Sequence, residues 1–201
     1  MKRTLLFLIL TTLPLSAQWR RFGSMPTHPT GFVGAGFSTP VNPAASHLDT
    51  GWNVAGGVGV TNNYFGIMLD GMCNDLGITH RALVRQGARS GDEKYWAFTI
   101  NPIFHVNERG PVDFYVTGGG GIYSQVTRYR AAAGNFGPSG RDFDLISTNH
   151  IYKPGVNAGA GFSFGFGDFS RMKFFAEARY HRMFVGPSDV SMIPVTVGVR
   201  F

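Results

Sequence analysis

From residue 31 to the last residue, apolar side chains recur at every second position in eight separate runs, with small or polar residues between them. The runs lie near 31–38, 51–62, 64–74, 95–105, 112–126, 156–166, 171–183 and 191–201. A period of two belongs to an extended strand with two unlike faces. The one-sided apolar sets begin with Val33/Ala35/Phe37, Trp52/Val54/Val58/Val60 and Phe65/Ile67/Leu69. They continue with Trp96/Phe98/Ile100, Phe114/Val116/Ile122, Ala158/Ala160/Phe162/Phe164/Phe166 and Phe174/Ala176/Ala178/Tyr180. The last set is Ile193/Val195/Val197/Val199/Phe201. After Ala17 no stretch keeps a helical period and none is apolar for 18 residues, so the pattern predicts an all-β chain.

Alternation does not say which face is buried, and the placement of charge does. The runs at 31–38, 51–62, 95–105 and 156–166 contain no Asp, Glu, Lys or Arg. Their less apolar faces consist of small uncharged residues, such as Asn53/Ala55/Gly57/Gly59/Thr61. A soluble ligand-binding barrel, the rival fold, would need a charged and hydrated exterior, because soluble sheets protect their outer faces with charge. Small residues instead suit a narrow, crowded bore, with the apolar face turned to lipid. In a bilayer only a closed sheet satisfies the hydrogen bonds of strands. The expected fold is therefore an eight-stranded antiparallel up-and-down transmembrane β-barrel.

Connection lengths point the same way. From an N-terminus on the periplasmic side, even connections should be tight turns and odd ones longer outer loops. The even connections are Thr61–Asn63, Val106–Pro111 and Gly167–Ser170, and the odd ones are Thr39–Thr50, Asp75–Lys94, Thr127–Gly155 and Phe184–Val190. Aromatic residues gather near the strand ends, as expected of interfacial girdles. Tyr64, Phe65, Phe104, Phe114, Phe166, Phe174 and Phe201 are assigned to the inner rim, and Trp52, Tyr95, Trp96, Tyr152 and Phe184 to the outer.

The N-terminus supplies an address. Met1-Lys2-Arg3, the apolar Thr4–Leu15 and the small pair Ser16-Ala17 form the three parts of a secretory signal over 1–17. Its apolar stretch is too short for a helical anchor. Removal takes Lys and Arg from 18 to 16 against 12 acids, a charge of +4, which is too mild for a nucleic-acid surface. Residues 18–29 read as a periplasmic lead-in with the basic pair Arg20-Arg21, and 30–201 as the barrel domain. Cys73 is the single cysteine, so no intramolecular disulfide is available.

The signal, the eight runs, the loop alternation and a last strand ending in Phe201 together resemble the small OmpA-type barrels of bacterial outer membranes. The resemblance covers roughly residues 30–201. It implies localisation in the outer membrane, with a C-terminal signal of Val197, Val199 and Phe201 read by the barrel-assembly machinery. The peptidoglycan-binding domain that follows the OmpA barrel is not expected, since the chain stops at Phe201.

Candidate chemistry is sparse. The seventh run is the charged exception, with Arg171, Lys173, Glu177, Arg179 and His181 on the parity opposite Phe174 and Tyr180. Pairing the last hairpin through its loop places Glu177 beside Gly198 with Arg200 within diagonal reach, and Asp70 has inward parity on the third run. Buried charges must be paired, so a bore network of Asp70, Glu177, Arg179 and Arg200 is expected. As structure it would plug the barrel; as function it would be a gate or a catalytic cluster. Eight-stranded barrels are just wide enough for side chains to fill, which favours the plug. Arg182, with lipid-facing parity, is placed to meet lipopolysaccharide phosphates among the outer-membrane lipids. Cys73 shares the outward parity of Leu69 and reads as a small hydrophobe.

Three further motifs fall away. Thr117–Tyr123, "TGGGGIY", lacks the Gly-Lys-Ser/Thr of a phosphate loop. The six histidines show no metal-ligand spacing, so neither metal nor cofactor is expected. A barrel-type lipid A deacylase would follow its histidine with serine two places on. Here His181 is followed by Met183, and Ser188-Asp189 lacks that spacing, so no enzyme is expected. The functional expectation is a non-enzymatic barrel with a structural or surface-interaction role, any ligand being held by the loops at 75–94 and 127–155. A narrow porin-like channel is the alternative, and a lipid-modifying enzyme is a more distant one.

Overall fold

The computed structural model describes residues 27–41, 43–85, 88–107, 110–131, 145–165, 172–186 and 189–201. The signal expected at 1–17, most of the lead-in, Phe166, Arg171 and Ser188 lie outside the described residues. The alternating runs become eight strands: β1 (His28–Val41), β2 (Gly51–Thr61), β3 (Phe65–Gly77), β4 (Ala88–His105), β5 (Val112–Ala131), β6 (Leu145–Gly165), β7 (Lys173–Met183) and β8 (Val190–Arg200). Each pairs antiparallel with its neighbours in chain order, and β8 pairs back onto β1 to close the barrel. Closure runs to the end of the chain. Phe201 N–H donates to the Gly31 carbonyl at 2.9 Å, and Gly31 N–H donates to the Phe201 carbonyl at 2.8 Å. A residue that would fray in an open strand is thus held by a ladder on one side.

Parity follows the sequence pattern. Val33, Phe37, Trp52, Val54, Val58, Leu69, Phe98, Ile100, Val116, Ile122, Phe162 and Val197 all point away from the barrel and are exposed. Asn53, Asp70, Thr99, Asn101, Asn157, Glu177, Arg179 and Thr196 point inward and are buried. An exposed apolar surface of this extent is unstable in water. Around a closed sheet with no free edge it is stable in hydrocarbon, and the fold is a transmembrane β-barrel. Leu69 sits midway along β3 and is 56% exposed on that surface. Leu69→Arg is expected to destabilise the barrel by about 2–4 kcal/mol in urea titrations of lipid-reconstituted protein, whereas Val84→Arg, on a connecting helix, should leave the midpoint unchanged.

The strand ends depart from the pattern on one side only. At the end with tight turns the boundaries agree within a few residues, with β1 starting at His28 inside the stretch read as lead-in. At the opposite end β4 begins at Ala88 rather than 95, β5 runs on to Ala131, and β6 begins at Leu145 rather than 156. At 20 and 21 residues, β5 and β6 are about twice the length that crosses a bilayer as a tilted strand. In their outer halves polar residues occupy both parities, so the apolar alternation fades while the ladder continues, as in Thr127↔Asn149 and Val126↔His150. The connection after β3 also holds a six-residue helix, α1 (His80–Arg85), and the one after β1 a 3-10 turn at Ala44–Ser46. Both are too short to show a helical period.

The "TGGGGIY" segment lies inside β5, so it forms no phosphate loop. Its inward glycines serve close strand approach. A Cβ on Gly121 would collide with the Phe98 carbonyl and lie 2.8 Å from Thr99 Cα. On the outward Gly120 a Cβ would meet the Gly155 carbonyl at 3.1 Å.

Candidate functional site

The interior of the barrel holds nearly all of its chemistry, stacked in layers along the axis. Midway, β3 and β7 carry Asp70 and Arg179 inward from strands that are not neighbours, and the guanidinium Nη1 donates to Asp70 Oδ2 at 2.8 Å across the bore. Arg179 also donates to Glu177 Oε1, from Nε at 2.8 Å, and its Nη2 lies 2.6 Å from the same oxygen. One guanidinium therefore serves two carboxylates, and all three residues are buried. Asn101 Nδ2 donates to Asp70 Oδ2 at 2.7 Å and to Thr99 Oγ1 at 2.8 Å, and Asn157 Nδ2 donates to Asn101 Oδ1 at 2.9 Å. Charges held away from water need such a shell of donors.

Arg200 does not join this cluster. The hairpin pairs Glu177 with Thr196 and Lys173 with Arg200, not Glu177 with Gly198. The diagonal neighbour of Arg200 is then Phe175, so its guanidinium lies 4.4 Å from the Tyr115 ring centroid and 5.7 Å from that of Phe175. Cation–π attraction replaces the expected ion pair. The physical cause is register: the loop closes the hairpin two residues away from the alignment that the apolar pattern alone allows.

Two further polar networks complete the filling. Thr196 Oγ1 donates to Asn53 Oδ1 at 2.9 Å, Asn53 Nδ2 to Ser38 Oγ at 3.2 Å, and Ser38 Oγ to Asn74 Oδ1 at 2.6 Å, linking β8, β2, β1 and β3. At the end with tight turns His105 Nδ1 and Asp113 Oδ2 are 2.5 Å apart, and Asp113 Oδ1 accepts from the Asn107 N–H at 3.1 Å. Toward the loop end Leu48, Leu76, Met183 and Met192 belong to one buried apolar cluster. Among the described residues, a cavity of about 10 Å³ lies beside Asp70, Glu177 and Arg179. None of these further polar or apolar layers was anticipated. Inward parity marked their positions, but only the closed bore shows which of them meet.

The expected girdle residues divide. Trp52, Phe104, Phe114, Phe174 and Phe201 are exposed on the outer surface near strand ends, while Trp96 is exposed midway along β4, which starts earlier than the pattern predicts. Phe104 packs edge-on against Phe65 at 4.9 Å between centroids, and Phe174 stacks on Phe164 at 5.8 Å. Tyr95 is a correction: it is 0% exposed inside the barrel, donating its hydroxyl to Glu93 Oε1 at 2.5 Å. Adjacent residues in a strand face opposite ways, so Tyr95 and Trp96 cannot both face lipid. Val197 and Val199 lie on the outward side of β8, opposite Ala35 and Val33 of β1. Arg182 also faces outward, bonded to Asp189 Oδ2 at 2.7 Å and 5.8 Å from the Phe184 ring centroid. His181 is buried in the bore, and Asp189 is engaged by Arg182. Among the described residues no group of His, Cys, Asp and Glu is arranged to hold a metal ion.

With this geometry established, the class follows: the fold is that of the small eight-stranded barrels of bacterial outer membranes. The chain is similar to Neisserial surface protein A, with a TM-score of 0.58 at 14% identity, covering 87% of this chain and 97% of that one. It is also similar, at TM-scores of 0.49, to the attachment invasion locus protein Ail of Yersinia pestis (17% identity, 87% of this chain and 99% of that one) and to OprG of Pseudomonas aeruginosa (11% identity, 88% and 98%). No protein-family model matches the sequence, and no curated protein does.

Proposed function

We propose that this protein is a non-catalytic integral barrel of the outer membrane, with a plugged bore and a surface-interaction role carried by its outer loops and the protruding β5–β6 hairpin. The observation that supports it is the pairing of an apolar, lipid-suited exterior with an interior occupied by the Asp70–Arg179–Glu177 cluster. The bilayer lipids are one partner, with Arg182 at the loop end of β7 set to exchange Asp189 for a lipopolysaccharide phosphate. The barrel-assembly machinery is a second, reading the Val197/Val199/Phe201 edge before β8 closes on β1.

Carbonate extraction and planar-bilayer recording test this directly. The protein is expected in the membrane pellet, migrating faster unheated than boiled in detergent gels, and to pass no current above background. Release into the carbonate supernatant would indicate the soluble barrel instead. Steady single-channel steps would replace the plug with the narrow channel, and a change in lipid A mass dependent on the protein would revive the enzyme.

A further inference from the structure

We infer that the barrel encloses one sequestered water molecule at mid-height, bridging Asp70 and His181. Three observations converge on it. The first is the cavity of about 10 Å³, lined by Asp70, Thr99, Glu177, Arg179, His181 and Thr196 among others. That volume is about what a single water requires and far below what a solute needs.

The second is His181, buried at 2% exposure. Its Nδ1 lies 2.9 Å from the Tyr123 hydroxyl. That hydroxyl's other acceptor, the Val156 carbonyl, is at 3.4 Å, so the phenol proton belongs to the shorter contact. A neutral imidazole that accepts at Nδ1 carries its hydrogen at Nε2, and among the described residues no group accepts from His181 Nε2. The third is Asp70. Its Oδ2 takes hydrogen bonds from Arg179 and Asn101, while its Oδ1, on the same cavity-lining side chain, has none. One buried donor and one buried acceptor thus stand unpaired, among the described residues, on two side chains that line a cavity the size of the molecule that supplies both functions.

The alternatives have the wrong chemistry. A hard cation would take six or more oxygen ligands, and the His181 N–H would face it as a repelling donor. An anion would sit against two carboxylates. Phe32, Met72 and Phe175 contribute apolar wall beside these polar groups.

A crystal structure at a resolution showing ordered solvent tests the site. A single peak is expected within about 2.7–3.2 Å of both Asp70 Oδ1 and His181 Nε2. A dry cavity overturns the inference, as does a peak ringed by oxygens at about 2.3–2.6 Å, the signature of a cation, or a file of waters reaching either mouth. In His181→Leu, which removes the donor at similar volume, the peak is lost, and an unchanged peak would exclude the bridging role. Should that variant not fold, the wild-type protein in micelles suffices: a nuclear Overhauser effect from water to the His181 ring protons is expected, and its absence would exclude a resident water. A silent barrel with a dry cavity would refute the water alone, and a conducting barrel with the bridged peak would refute the plug alone.

Discussion

Arg179→Met lowers the stability of the folded barrel by about 3–5 kcal/mol, read as a leftward shift of the urea midpoint in lipid vesicles. The variant leaves Asp70 and Glu177 facing a closed bore with no cation between them. Two uncompensated carboxylates in a space that admits little water cost far more than the lost hydrogen bonds alone. The triple variant Asp70→Asn/Glu177→Gln/Arg179→Met removes the charges together and should recover most of the loss, because a buried ion pair offers little net stability over a well-packed neutral set. Asp70→Asn alone should be mild, since Arg179 keeps Glu177. A wild-type midpoint for Arg179→Met would show that the bore is wetter than the structure indicates, and the plug would have to be given up.

Gly121→Val abolishes folding, seen as loss of the fast-migrating unheated band, while Gly120→Val next to it retains that band. Both glycines lie in the middle of β5 and differ only in the face they present. At Gly121 a Cβ drives into the backbone of β4, which cannot move without breaking the Ile122↔Phe98 and Gly121↔Thr99 ladder. At Gly120 the side chain points into the lipid and the nearest obstacle is a carbonyl at 3.1 Å, which asks for a shift of a few tenths of an ångström. Comparable folding of the two variants would mean that the inward glycines are there for some reason other than close strand approach.

Much of the architecture is legible in the residues. Phe37 and Trp52 alternate with Ser38 and Asn53, and in the structure those pairs face outside and inside respectively. Tight turns alternate with long loops, which sets the up-and-down order. The outer halves of β4, β5 and β6 were not legible, because polar residues on both parities leave no apolar alternation to read. Arg128 lies opposite Asp92 in such a stretch, a cross-strand pair that looks like ordinary loop polarity in one dimension.

The site was half legible. Asp70, Glu177 and Arg179 have inward parity, and burial obliges opposite charges to meet, so their contact follows from pattern and electrostatics. Arg200 has the same parity, yet it lies beside Phe175 rather than Glu177, and Tyr95 bonds Glu93 instead of joining the rim. By itself the sequence determined the strand count, the direction each side chain faces and the chemistry of the two surfaces, since these depend only on spacing and solvent. The tertiary structure alone decided which inward groups touch. That depends on the register of each hairpin and on closure of β8 against β1, which bring together residues as distant in the chain as Asp70 and Arg179.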